Sequence, residues 1–132
     1  MVQDDSSQSH PRASAVRSVL RELNASSSDV EASAAITTDG FIIGSVLDPG
    51  VDQDRFAAMC ASLLALAERA AEEISRGEMK QVMIEGTQGL MLLVHAGGDA
   101  VLAVASKPTV NLGMVFIEAR KAAAKIKTVL TS

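Results

Sequence analysis

Hydrophobic and polar positions alternate along this chain with two different periods, and each change of period marks a new element. Val16, Val19, Leu20 and Leu23 follow the i, i+3, i+4, i+7 spacing of one buried helical stripe. Ser14 stands where it can cap that helix. Ser26, Ser27 and Ser28 compete for backbone hydrogen bonds, so the helix should fray by Asn24. From Val30 the period drops to two. A strand over Val30–Thr38 would place Val30, Ala32, Ala34 and Ile36 on one face, and a second strand follows over Phe41–Leu47. Between them, Asp39 and Gly40 form a strong short hairpin signal. A type I′ turn needs positive φ at both central residues, which glycine adopts freely and aspartate tolerates. Asp48, Pro49 and Gly50 are turn chemistry.

The helical period returns over Gln53–Arg76, with Asp52 as N-cap and Gly77 as the C-terminal stop. A meander comes next. Strands over Glu78–Glu85, Leu90–Ala96 and Ala100–Ser106 are separated by Gly86-Thr87-Gln88-Gly89 and Gly97-Gly98-Asp99, and Lys107-Pro108 ends the last. A closing helix over Leu112–Leu130 aligns Leu112, Val115, Phe116, Ala119, Ala123, Ile126 and Leu130 on one stripe. The order is α-β-β-α-β-β-β-α. Tight turns make both strand groups antiparallel, so the expected fold is α/β of the α+β type: one five-stranded antiparallel sheet with helices on both faces. Residues 1–13 are polar and serine-rich and read as a mobile tail, leaving a single domain over 14–132.

The long middle helix carries more apolar surface than one side of a sheet needs. At about 100° per residue, Phe56, Met59, Cys60, Leu63, Leu66, Ala67, Ala70 and Ile74 share a broad face able to cover the sheet. The remaining arc holds Ala57, Ala58, Ala61, Leu64 and Ala65 where a surface helix should be polar. Ala57, Ala61 and Leu64 are therefore expected in a self-association interface, since small residues let a second helix approach closely. Val82, Met83 and Ile84 extend that interface, as the apolar centre of a strand placed at the edge of the meander. Arg55, Arg69 and Glu73 would rim the seam.

Composition narrows the chemistry. The chain has 132 residues, 48% of them hydrophobic, enough for a core without staples. Its only aromatic residues are Phe41, Phe56 and Phe116, which argues against base-stacking platforms and flat-cofactor pockets. A net charge of −4 speaks against binding nucleic acid. The N-terminus lacks the pattern of a signal peptide, and no run reaches the roughly 18 apolar residues of a membrane span. With one cysteine there is no internal disulfide, which fits a reducing, cytoplasmic setting. Cys60 lies in the apolar run AAMCASLLALA with no electropositive neighbour to activate it, and reads as a buried hydrophobe. His10 and His95 are far apart and have no ligand-spaced partners. The glycines punctuate hairpins rather than opening a helix as a phosphate cradle does. Arg120, Lys121, Lys125 and Lys127 read as a solvated helix face. No catalytic, cofactor-binding or metal-ligating residue is assigned.

Taken in order, SVLRELNAS, ITTDGFIIGS, RFAAMCASLLALAERAAEEISRGE running into QVMIEG, GLMLLVHAGGDAVLAVASKP and NLGMVFIEARKAA resemble the Roadblock (dynein light-chain) domain family, and within it the bacterial branch of the gliding-motility type. The resemblance spans about Val16 to Ile126 and implies a profilin-like architecture. It also implies a homodimer with a sheet continuous across the third strand and paired middle helices, acting as platform or regulator for a small Ras-like GTPase. It carries over no catalytic residue. Two other readings stand beside it: a small-molecule sensor of GAF-like architecture, and a pure assembly scaffold.

Overall fold

Eight elements follow the expected order in the computed structural model, which describes residues 10–108 and 111–132. They are α1 (Ala13–Ser26), β1 (Val30–Thr37), β2 (Ile42–Val46), α2 (Gln53–Glu73), β3 (Gln81–Gly86), β4 (Gly89–His95), β5 (Ala100–Ser106) and α3 (Leu112–Thr131). The strands form one antiparallel sheet in the order β2-β1-β5-β4-β3. The hairpin and the meander thus join through β1 and β5, and β2 and β3 are the edges. The expected tail over residues 1–13 lies outside the described residues as far as residue 9, and Ala13 already opens α1.

Each face of the sheet has its own core. On one side α1 and α3 lie together. Val16, Leu20 and Leu23 of α1 and Ala119, Ala123 and Ile126 of α3 pack with Ala35, Leu92, Leu102 and Val104 of the sheet. On the other side α2 lies alone over Ala34, Ile36, Leu93, Val101 and Ala103. The apolar residues of β1 and β5 are buried on both faces, which is why Ala34, Ala35 and Ile36 read as a continuous run rather than an alternation. Ser33, a buried polar residue, donates its hydroxyl to Asn24 Oδ1 at 2.8 Å and so ties β1 to α1.

Ser14 lies inside α1, whose N-cap is Arg12 without a side-chain cap, and the helix runs to Ser26 rather than fraying by Asn24. Three further local features differ from the sequence reading. The hairpin turn is not type I′. Gly40 has φ +98°, but Asp39 is not among the residues with positive φ. The Gly40 N–H bonds to Thr37 O and the Thr37 N–H to Phe41 O. That is the three-residue loop in which a left-handed glycine follows an ordinary turn. Second, β1 contains a bulge between Val30 and Ala32, so Val30 joins the α1/α3 core while Ala34 and Ile36 face α2. Third, α2 stops at Glu73 before Gly77 is reached. The Ser75 N–H bonds to Glu72 O and the Arg76 N–H to Ala71 O, with Ser75 itself at φ +55°. This closes the helix in the Schellman pattern, with serine in the position glycine usually takes. Asp52 caps the other end as expected, accepting the Arg55 N–H at 3.1 Å.

Candidate functional site

The lone helix on its face of the sheet carries the most unusual surface. Ala57, Cys60 and Leu64 of α2 are buried against the sheet. Ala57 and Leu64 therefore belong to the protomer's core and not to an outward interface, and Ala61 is half-buried beside Ala58 and the Gly40 turn. The inward stripe of α2 is turned by about a quarter of the helix from the expected one. The outward side is consequently different. Met59, Leu66 and Ile74, expected against the sheet, are 58%, 63% and 62% exposed. Ala58, Ala65 and Ala70 are exposed around them. Three large apolar side chains in water along one helix form a patch of the kind that marks an interaction site.

Arg55, Arg69 and Glu73 are all exposed. At 100° per residue they share the crest of α2 with Met59 and Leu66, so they interrupt the apolar surface rather than line its rim. The expected edge position of β3 holds: β3 pairs only with β4 among the described strands. Val82 is half-buried under α2, while Met83 and Ile84 are 47% and 42% exposed on the two faces of the edge. Ile84 lies opposite Met91, which packs in the α2 core, so Ile84 and α2 are on the same side of the sheet.

One contact escaped sequence reasoning. His95 Nε2 lies 3.2 Å from Glu68 Oε2, pinning the C-terminal third of α2 to the end of β4. The residues are 27 positions apart, and no local pattern announces the pair. Cys60 is buried, and burial pushes its thiol up to about 11, the opposite of what a nucleophile needs. Among the described residues no group of three His, Cys, Asp or Glu side chains is placed to hold a metal ion. No described helix is long and apolar enough to cross a membrane. What this face offers is apolar area, unpaired strand backbone and a few charges, which is the chemistry of binding another polypeptide.

Comparison with known proteins agrees with the architecture. The model of the Roadblock/LC7 domain matches residues 17–106, from α1 to the last residue of β5. The chain belongs to the Roadblock/LC7 domain family. Among its relatives is the protein MJ1340 of Methanocaldococcus jannaschii, 40% identical over 109 residues, covering 83% of this chain and 94% of that one. Among solved structures, MglB of Myxococcus xanthus superposes with a TM-score of 0.82 at 19% identity, covering 89% of this chain and 95% of that one. The Roadblock/LC7 domain from Streptomyces avermitilis gives 0.81 at 20% identity, covering 88% and 98%. The Roadblock/LC7 fold is therefore shared with bacterial proteins, whereas this close sequence relative is archaeal.

Proposed function

We propose that this Roadblock/LC7 protein is a cytoplasmic homodimer that binds a small Ras-like GTPase and alters its nucleotide cycle, without a catalytic site of its own. The observation that carries the reading is the exposure of Met59 and Leu66 of α2, and of Ile74 at its C-cap, on the same side of the sheet as Ile84 of the open β3 edge. Pairing β3 antiparallel with its own copy would satisfy both edges about a single twofold axis. Such an axis stands perpendicular to the sheet. It sets the two α2 helices side by side on one face, where their apolar crests cover each other. The interface would bury on the order of 1,200–2,000 Å² in total. Self-association has a parallel in the similar MglB, one structure of which has a tetrameric arrangement.

The resemblance to the Roadblock family supplies the GTPase as partner, and Arg55, Arg69 and Glu73 at the paired helices supply charges to steer encounter and fix register. The test is single-turnover GTP hydrolysis and nucleotide release by the Ras-like GTPase encoded nearest to this chain, with and without the dimer. A change in either rate, or binding that depends on the bound nucleotide, supports regulation. No change in rates and no nucleotide-dependent binding would reduce the role to assembly alone.

A further inference from the structure

The two faces of the molecule differ in charge as well as in apolar surface. On α1 and α3, Arg17, Arg21, Arg120, Lys121, Lys125 and Lys127 stand against Glu22 and Glu118, a balance of 6 − 2 = +4. On α2, Arg55 and Arg69 stand against Asp54, Glu68, Glu72 and Glu73, a balance of 2 − 4 = −2. The whole chain carries −4, so the α1/α3 layer is a cationic face on an acidic protein. The four cations of α3 are all exposed. Glu22 is held by Lys125, and Glu118 lies 3.7 Å from Lys121. Exposed apolar side chains stand beside these cations: Met114 and Ile117, in the first turns of α3, are 45% and 53% exposed. Glu85, exposed on the β3 edge, is on the same side of the sheet and is the nearest break in this pattern along that strand.

We infer that the α1/α3 face docks peripherally on an anionic phospholipid bilayer, with the Lys and Arg side chains at the headgroups and Met114 and Ile117 dipping among them. Clustered Lys and Arg on a helix gain attraction from anionic headgroups, and isolated apolar side chains between them add burial at the acyl boundary. A duplex nucleic acid fits less well, because it gives Met114 and Ile117 nothing to bury against. The charge on each protomer stands independently of the proposed dimer. The avidity rests on it: a twofold axis perpendicular to the sheet puts both α1/α3 layers on the same side, doubling the cationic face in one plane and turning the paired α2 helices away from the lipid.

The experiment is flotation of the full chain with vesicles of phosphatidylcholine alone or with 30% phosphatidylserine, at 0.1 M and 0.5 M salt. Sedimentation of the same samples reports the oligomeric state separately. Binding should require phosphatidylserine and be released by the higher salt. Lys121→Glu, which moves two charge units, should weaken it on the order of tenfold or more. Ile117→Ser should weaken it less, and Arg76→Glu, past the end of α2, should leave it unchanged. A monomer that binds weakly but with this pattern would contradict the dimer and keep the lipid face. No binding to phosphatidylserine vesicles by folded protein overturns the inference, as does equal binding by Lys121→Glu. Binding to duplex DNA without binding to vesicles would overturn it in favour of nucleic acid.

Discussion

Cys60 and Ser75 sit on the same helix and show how a residue's setting decides its behaviour. The Cys60 thiol is sealed between α2 and the sheet, and burial raises it from 9.0 to about 11. At pH 8 its thiolate should be on the order of 100-fold scarcer than that of an ordinary thiol. Alkylation of the native protein should therefore be slow and become fast in denaturant; equal rates in both would contradict the burial. The raised value also sets a pH window. The folded state holds the thiol proton more tightly than the unfolded chain, so the associated stability is present below pH 9.0 and is lost as pH rises through about 11. Ser75 has the opposite character. It is exposed and carries a side chain in the left-handed region, at φ +55°, where serine is disfavoured by roughly 1 kcal/mol relative to glycine. Ser75→Gly should raise the unfolding free energy by about that amount at fixed protein concentration. Urea denaturation checks it, and a loss of stability would show that the helix does not end in this motif.

At the scale of elements, the strands and the sequence of helices were legible because periodicity and turn chemistry are local. The turns were placed correctly while their geometry was not. Asp39-Gly40 announces a reversal, but the choice between a two-residue and a three-residue loop depends on how β1 and β2 must twist to meet β5. The bulge after Val30 was invisible because Glu31 and Ala32 carry no signal for it. The phase of α2 was misread for a different reason. Its apolar residues surround the N-terminal half almost completely, so the hydrophobic pattern alone does not say which arc meets the sheet. Ala57, Cys60 and Leu64 fit against the closely packed Ala34 and Ala103, and Met59 and Leu66 are left outside. Two substitutions two positions apart separate these roles. Leu64→Ala should cost about 2–5 kcal/mol of stability by leaving a cavity in the α2 core. Leu66→Glu should change protomer stability by less than about 0.5 kcal/mol, yet abolish self-association by placing a charge in the apolar seam. Thermal unfolding and gel filtration of both variants decide it; the reverse pattern would return the expected phase of the helix.

The whole molecule is a sheet with unlike sides. One side carries two helices with cations toward solvent, and the other a single helix whose crest exposes Met59 and Leu66 among Arg55, Arg69 and Glu73. A single helix cannot cover a five-stranded sheet, and the strand at that end is open. A second copy supplies both a helix and a strand at the place where each is lacking, which is the physical reason for expecting the dimer and, through it, a platform for a GTPase. The membership of the Roadblock/LC7 family rests on the match over residues 17–106, from α1 to the end of β5. The identity of the proposed GTPase partner was not legible, because it depends on surface complementarity with a second protein. Sedimentation velocity of the full chain over micromolar concentrations tests the central claim most directly. The predicted result is a mass near twice 13.7 kDa that falls to that of the protomer in Leu66→Glu. A wild-type mass of 13.7 kDa, independent of concentration, would contradict the account.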